Sequence, residues 1–219
     1  MGYDIRYKRY IRADARWEDN PPLTTDPAGG WGPFALEDQA GDIWVFWSST
    51  PSAQTDIRYK RYIRADARWE DNPPLTTATQ VVSYLSALED QAGDIWVFWS
   101  SNFDIWCKRY SRGKWSDDTQ LTKYSRSDDA PFALADRTGA LWVFWQSDRS
   151  GTDGIWYTRY SRASDSWEKD TLLTTDPVVS GVQPFALADR AGALWVFWNS
   201  ETSAIDVRDF RYRKIFPSL

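Results

Sequence analysis

The stretch from Asp4 to Thr25 recurs letter for letter from Asp56 to Thr77, and looser copies of the same pattern fill the rest of the chain. A repeat near fifty residues long cannot bury its own apolar face, so its copies must stack in an array or close into a ring. Aligned on Ile5, Ile57, Ile105, Ile155 and Val207, successive copies lie 52, 48, 50 and 52 residues apart. The repeats are accordingly read as 5–56, 57–104, 105–154 and 155–206, with a terminal strand at 207–212, in one domain covering all 219 residues.

Each full unit divides into four segments, called a to d here: Pro33 to Leu36, Ile43 to Trp47, Ile57 to Arg61, and Trp69 to Leu75. All are rich in β-branched and aromatic residues and bounded by turn formers, which predicts strands. Segments a and b are joined by a turn of constant form, Asp38 to Gly41, Asp90 to Gly93, Asp136 to Gly139 and Asp189 to Gly192. There the aspartate can accept from turn amides and the glycine can take a positive φ. Segment b, as in Leu141 to Trp145, is apolar at every position and must be covered on both faces. Radial blades satisfy that demand, so the expected fold is all-β, a β-propeller of about four four-stranded blades. The chain supplies four a, four b, five c and four d segments. Closure is expected to come from the first c-d pair completing the last a-b pair. Two c strands then compete for one place, and the alternatives are an incomplete five-bladed ring or an assembly that swaps the end strand between chains.

Composition removes several functions. The chain has no histidine, which excludes Ser-His-Asp and Cys-His relays and the common zinc sets, and no enzyme activity, cofactor or metal is expected. A net charge of −5, with Lys and Arg spread through the copies, makes nucleic acid a poor partner. No apolar run reaches the length of a membrane span. The single cysteine, Cys107, stands where other copies carry Tyr7, Tyr59 and Tyr157, and its expected role is packing. With 15 tryptophans, the interior is expected to be filled with rings.

On this reading the a-b and c-d turns share one end of the ring, and the unequal b-c and d-a loops share the other, which is where binding is expected. Each b strand ends there in one indole and two small polar residues: Trp47-Ser48-Ser49, Trp99-Ser100-Ser101, Trp145-Gln146-Ser147 and Trp198-Asn199-Ser200. An indole can cover the C–H face of a sugar while short polar groups bind its hydroxyls, and Asp56 and Arg58 start the adjoining strand. The competing reading has the same rings filling gaps between blades. The strand-c arginines Arg9, Arg61, Arg109, Arg159 and Arg211 are expected to pair with turn aspartates and fix blade register. The loop from Asp148 to Gly154 has oxygen ligands at a spacing that could hold Ca²⁺, but it occurs once and matches no full calcium motif.

The combination of a Leu-Trp-Val-Phe-Trp strand, an Ile-Trp-Tyr-Thr-Arg-Tyr strand and an outer Trp resembles the blades of bacterial and fungal β-propeller lectins, including fucose-binding and tectonin-like members. The resemblance implies a multivalent carbohydrate-binding protein whose partner is a glycan or glycoconjugate. The near-identical copies also resemble propellers amplified recently within bacterial genomes, which implies the alternative of a protein-interaction scaffold or sensor module.

Overall fold

The computed structural model describes residues 3–25, 29–50, 55–71, 73–76, 82–123, 127–174, 183–201 and 208–215. These residues form five antiparallel sheets in chain order. The first sheet pairs β1 (Tyr10–Ile11) with β2 (Arg16–Trp17). The second runs β3 (Trp31–Glu37), β4 (Ile43–Ser49), β5 (Asp56–Ile63), β6 (Arg68–Asp71). The third runs β7 (Val82–Glu89), β8 (Ile95–Ser101), β9 (Asp104–Ser111), β10 (Lys114–Trp115), with β11 (Thr119–Gln120) also on β9. The fourth runs β12 (Asp128–Ala135), β13 (Leu141–Ser147), β14 (Gly154–Ser161), β15 (Ser166–Trp167), with β16 (Thr171–Leu172) on β14. The fifth holds β17 (Phe185–Ala188), β18 (Leu194–Glu201) and β19 (Arg208–Ile215). No helix among the described residues is long and apolar enough to cross a membrane.

The a-b turns form as their sequence implies, and each also fixes the strand that follows. Asp136 Oδ1 accepts from the amides of Thr138 at 2.8 Å and Ala140 at 3.0 Å, while its Oδ2 accepts from Trp142 Nε1 at 2.8 Å. The same indole bond joins Asp38 to Trp44, Asp90 to Trp96 and Asp189 to Trp195. Gly139 closes the turn at φ +84°, a conformation that an L side chain adopts only with strain. Burial pushes the Asp136 carboxyl up, but donation from Thr138, Trp142 and Ala140 outweighs it and the net shift is downward. Asp94 is likewise lowered, its burial overcome by hydrogen bonds from Ser111 and Arg109, and Asp189 is lowered by Trp195 and Ala193. A carboxyl depressed in the folded state adds stability above its unfolded value of 3.8, and that stability is lost as pH falls through the folded values. Urea melts are therefore expected to show falling stability below roughly pH 4, with Asp136→Asn flattening that slope.

The arginines of strand c pack over the same indoles. Arg61 lies 4.7 Å over the Trp44 ring and pairs with Asp42 at 2.8 Å. Arg109 repeats this with Trp96 and Asp94. In the fourth sheet Ala140 replaces that aspartate, so Arg159 keeps its place over Trp142 but pairs with Glu168 at 3.7 Å. At the outer edge a repeated Leu-Thr step ties the chain back to strand c. Thr24, Thr76, Thr122 and Thr174 each accept from the amide of Ile5, Ile57, Ile105 or Ile155 at 2.9–3.1 Å.

The core lies between sheets. Trp44, Phe46, Ile57 and Tyr59 of the second sheet pack on Leu85, Ala87, Ile95 and Val97 of the third. The third packs on the fourth through Trp96, Phe98 and Cys107, and the fourth on the fifth through Trp142, Phe144 and Ile155. A smaller cluster of Ile5, Leu23, Val45 and Trp47 joins the first sheet to the second. The b strands of the second, third and fourth sheets are thus covered on both sides, which is why they are apolar up to Trp47, Trp99 and Trp145, while β18 packs on the fourth sheet through Leu194, Val196 and Trp198. Cys107 is fully enclosed, and burial pushes its thiol pKa up, away from reactivity.

Of the two arrangements expected, the incomplete five-bladed ring is the one formed. β18 pairs with β19 along its whole length, so the first c-d pair does not complete the last blade and instead makes a sheet of its own. The loop from β18 to β19 is short, whereas pairing β18 with residues near the N-terminus would close most of the chain, at greater entropic cost. The register also differs from the sequence alignment. Asn199 pairs with Phe210 and Trp195 with Lys214, matching Gln146 with Ile155 and Trp142 with Arg159 in the fourth sheet. Phe210 therefore takes the place assigned to Val207, which lies outside the described residues, and Lys214 takes the place assigned to Arg211. Lys214 sits 4.9 Å over the Trp195 ring, as the arginines do over theirs.

Candidate functional site

The strand order puts the starts of the a strands and the ends of the b strands at one end of the ring, and the indole-polar elements all lie there. The indoles are closed in. Trp47 packs between the first and second sheets, Trp99 between the second and third, Trp145 between the third and fourth, and Trp198 between the fourth and fifth. Trp145 is 0% exposed. A ring covered on both faces offers no platform for a sugar in this conformation. Their polar neighbours hold loops: Ser49 Oγ donates to Gly29 O at 2.8 Å, and Ser100 Oγ accepts from Ala130 N at 3.0 Å. Ser101 is buried, Asn199 is half-buried, and the side chain of Ser200 lies outside those described. Asp56 is buried and accepts from Arg58 Nε at 3.3 Å. Gln146 donates to Asp153 at 2.9 Å.

In the loop that has calcium-like spacing, the interior is taken by a side chain of the loop itself. Arg149 turns inward, 4.3 Å over Trp156 and 5.4 Å over Trp145. It donates to Asp128 Oδ2 at 2.8 Å and Ser147 Oγ at 3.1 Å, and pairs with Asp170. Burial raises the Asp128 carboxyl, with Ser147 and Arg149 pulling against it. Asp148 accepts from the Ser127 amide at 3.1 Å. The guanidinium thus supplies the positive charge these carboxylates face.

The open concavity at this end is at the axis. A cavity of about 610 Å³ lies where β3, β7, β12 and the start of β17 converge. Its wall is aromatic, with Trp31, Phe34, Tyr84, Phe132 and Phe185, and its polar groups are Ser48, Ser83 and Gln183. Of the candidate ligand-binding residues read from the sequence, only Ser48 lines it. Trp31, Tyr84 and Phe185 are exposed, and Phe132 meets Phe185 at 4.9 Å. A bulge at the same place in β3, β7 and β12 shapes this wall. Register shifts fall between Trp31 and Phe34, Ser83 and Ser86, and Asp129 and Phe132, with Gly32, Tyr84 and Ala130 at φ +60°, +51° and +56°. Each bulge bends the strand and re-aims its first residues. Tyr84 holds a left-handed backbone that costs a non-glycine residue about 1 kcal/mol. The cavity is of ligand size and combines flat rings with hydroxyl and amide groups. Among the described residues no carboxylate lines it.

No family model matches the chain, and no curated protein matches it in sequence. Its likeness is to solved structures. A protein of unknown function from Dyadobacter fermentans superposes with a TM-score of 0.72 at 13% identity, over 94% of this chain and 62% of that one. This chain thus spans under two thirds of that protein's length. An endo-arabinase from Bacteroides thetaiotaomicron superposes with a TM-score of 0.57 at 14% identity, over 100% of this chain and 95% of that one. The catalytic domain of a Coprinopsis cinerea GH62 α-L-arabinofuranosidase does so at 0.56 and 11%, over 89% and 67%. At these identities the likeness establishes the fold, a five-bladed β-propeller, and identifies no lectin family.

Proposed function

We propose that this chain is a carbohydrate-binding propeller, that its ligand site is the cavity at the axis, and that it binds without turnover. The observation that carries this reading is the wall of that cavity, where Trp31, Tyr84 and Phe185 present exposed rings beside Ser48, Ser83 and Gln183. Flat rings cover the C–H face of a sugar while short polar groups bind its hydroxyls. The names of the arabinose-polysaccharide enzymes among the structural neighbours support a polysaccharide as the ligand. Glycoside hydrolysis uses a pair of carboxyl groups flanking the scissile bond, and the cavity wall offers none among the described residues, which supports binding alone. One axial site is favoured over a site on every blade, because the inner strands converge on one cavity whose Trp31, Tyr84 and Gln183 do not recur, while the four repeated indoles are closed. Multivalency would then come from several molecules on one surface.

The test is affinity electrophoresis through gels containing arabinan or xylan, followed by calorimetry with oligosaccharides. A shallow site of this kind is expected to show a Kd on the order of 0.1 to 1 mM. Tyr84→Gly removes a ring from the wall and relieves the positive φ, so affinity is expected to fall roughly tenfold while stability holds or rises by about 1 kcal/mol. No retardation by any polysaccharide, or retardation untouched by Tyr84→Gly and Trp31→Ala, would favour the protein-interaction scaffold instead.

A further inference from the structure

The two ends of the sheet series carry complementary halves of the junction that is repeated inside the molecule. At two internal junctions, second to third and third to fourth, a Tyr-Trp pair from the later sheet closes over an aromatic face of the earlier one. Tyr110 and Trp115, 5.2 Å apart, cover the second sheet, where Trp115 lies 6.1 Å from Trp44 and 5.4 Å from Tyr59. Tyr160 and Trp167, also 5.2 Å apart, cover the third, with Tyr160 4.9 Å from Trp96 and Trp167 5.9 Å from Phe98. The first sheet bears the same pair, Tyr10 and Trp17 at 5.4 Å, and here it is open: Tyr10 is 48% and Trp17 61% exposed. The fifth sheet bears the same face, and among the described residues no Tyr-Trp pair lies above it. Trp195, Phe197 and Tyr212 are spaced 6.5, 5.3 and 6.0 Å apart, against 6.2, 5.8 and 5.9 Å for Trp44, Phe46 and Tyr59, yet Tyr212 is 62% exposed.

We infer that these surfaces join two copies of this chain head to tail, the Tyr10–Trp17 pair of one closing over Trp195, Phe197 and Tyr212 of the next. A second copy is the occupant because each chain carries both halves of a contact it already makes within itself, and in the single chain Tyr10, Trp17 and Tyr212 are exposed with Trp195 and Phe197 half-buried. Charge is consistent with the same register. Arg162 of the fourth sheet crosses to Asp90 of the third, and the corresponding exposed residue, Arg12, is carried toward Asp189, the counterpart of Asp90. The contact is heterologous, so it extends or closes into a ring rather than stopping at two.

Sedimentation equilibrium over roughly 1 to 300 μM tests this directly. The natural chain is expected to self-associate with rising concentration. Trp17→Ser removes the clamp and Tyr212→Asp spoils the face, and each alone is expected to weaken association by roughly 100-fold. Mixed together, the two variants retain one good clamp and one good face and are expected to form a 1:1 dimer that goes no further. Both positions are largely exposed, so melting curves should stay close to the natural one, and Tyr10→Ser replaces Trp17→Ser if that variant does not fold. A monomer at every concentration, including one that closes on itself and shields Trp17 fluorescence, overturns the inference. So does an assembly indifferent to both substitutions, or a mixture of the variants that stays monomeric.

Discussion

Trp96→Ala is expected to cost about 3–5 kcal/mol, enough to unfold much of the population of a domain of this size. Three losses coincide at this residue. Its ring is buried at the junction of the third and fourth sheets, 4.9 Å from Tyr160, 5.9 Å from Trp167 and 6.2 Å from Phe98. Its Nε1 donates to Asp90 Oδ2 at 2.9 Å, so truncation leaves a buried carboxylate oxygen short of a donor. Arg109 lies 5.1 Å over the same ring and loses its platform. Phenylalanine separates these contributions. Trp96→Phe keeps an aromatic but drops the hydrogen bond, and is expected to cost about 1–3 kcal/mol. Trp145 gives the contrast, because its buried Nε1 has no hydrogen-bond partner among the described residues. Trp145→Phe is therefore expected to cost less than Trp96→Phe, by about 1 kcal/mol or more, despite equal loss of ring volume. Urea denaturation of the four proteins measures the order, and equal costs for the two phenylalanine variants would mean that the turn aspartate contributes nothing to holding its indole.

The contrast between these two tryptophans also marks what the sequence makes legible. Strand order and the aspartate turns recur in all four a-b units, so each is constrained several times over and can be read from pattern alone, whereas the cation over the indole is arginine in three sheets and Lys214 in the fifth. The last strand could not be placed so well. Both Val207-Arg208 and Phe210-Arg211 offer an apolar residue followed by arginine, and only pairing with β18 selects the second. Blade number was open for a related reason: two c segments fit one edge almost equally, and loop closure decides between them. The axial cavity was the least legible feature. Its wall joins the repeated Phe34, Phe132 and Phe185 to residues that do not repeat, Trp31, Tyr84 and Gln183, and they meet only because separate inner strands converge. The indoles at the ends of the b strands stand out in the sequence because they recur. Recurrence is also what packing between identical blades demands, and the structure buries them.

Arg149→Met is expected to destabilise the fold by about 3–5 kcal/mol, a large effect for a residue in a loop. The side chains of Arg149 and Asp128 are 7% and 0% exposed, and Asp170 completes the pairing at 16%. Removing the guanidinium leaves the Asp128 carboxylate in a site already dry enough to raise its pKa against the pull of Arg149 and Ser147. The sign of the pH dependence follows. A carboxyl raised further in the folded state stabilises that state below its unfolded value, and the benefit is lost as pH rises through the folded value. The deficit of Arg149→Met relative to the natural chain should accordingly be largest near neutrality and shrink as Asp128 takes up its proton, opposite in direction to the acid loss expected of Asp94, Asp136 and Asp189. Asp128→Asn in the same chain removes the charge that has lost its partner, so the double variant should recover more than half of the deficit at neutral pH and show little of its pH dependence. Equal instability of the single and double variants across the range would assign the cost to the lost stacking of Arg149 between Trp145 and Trp156, and not to a stranded charge.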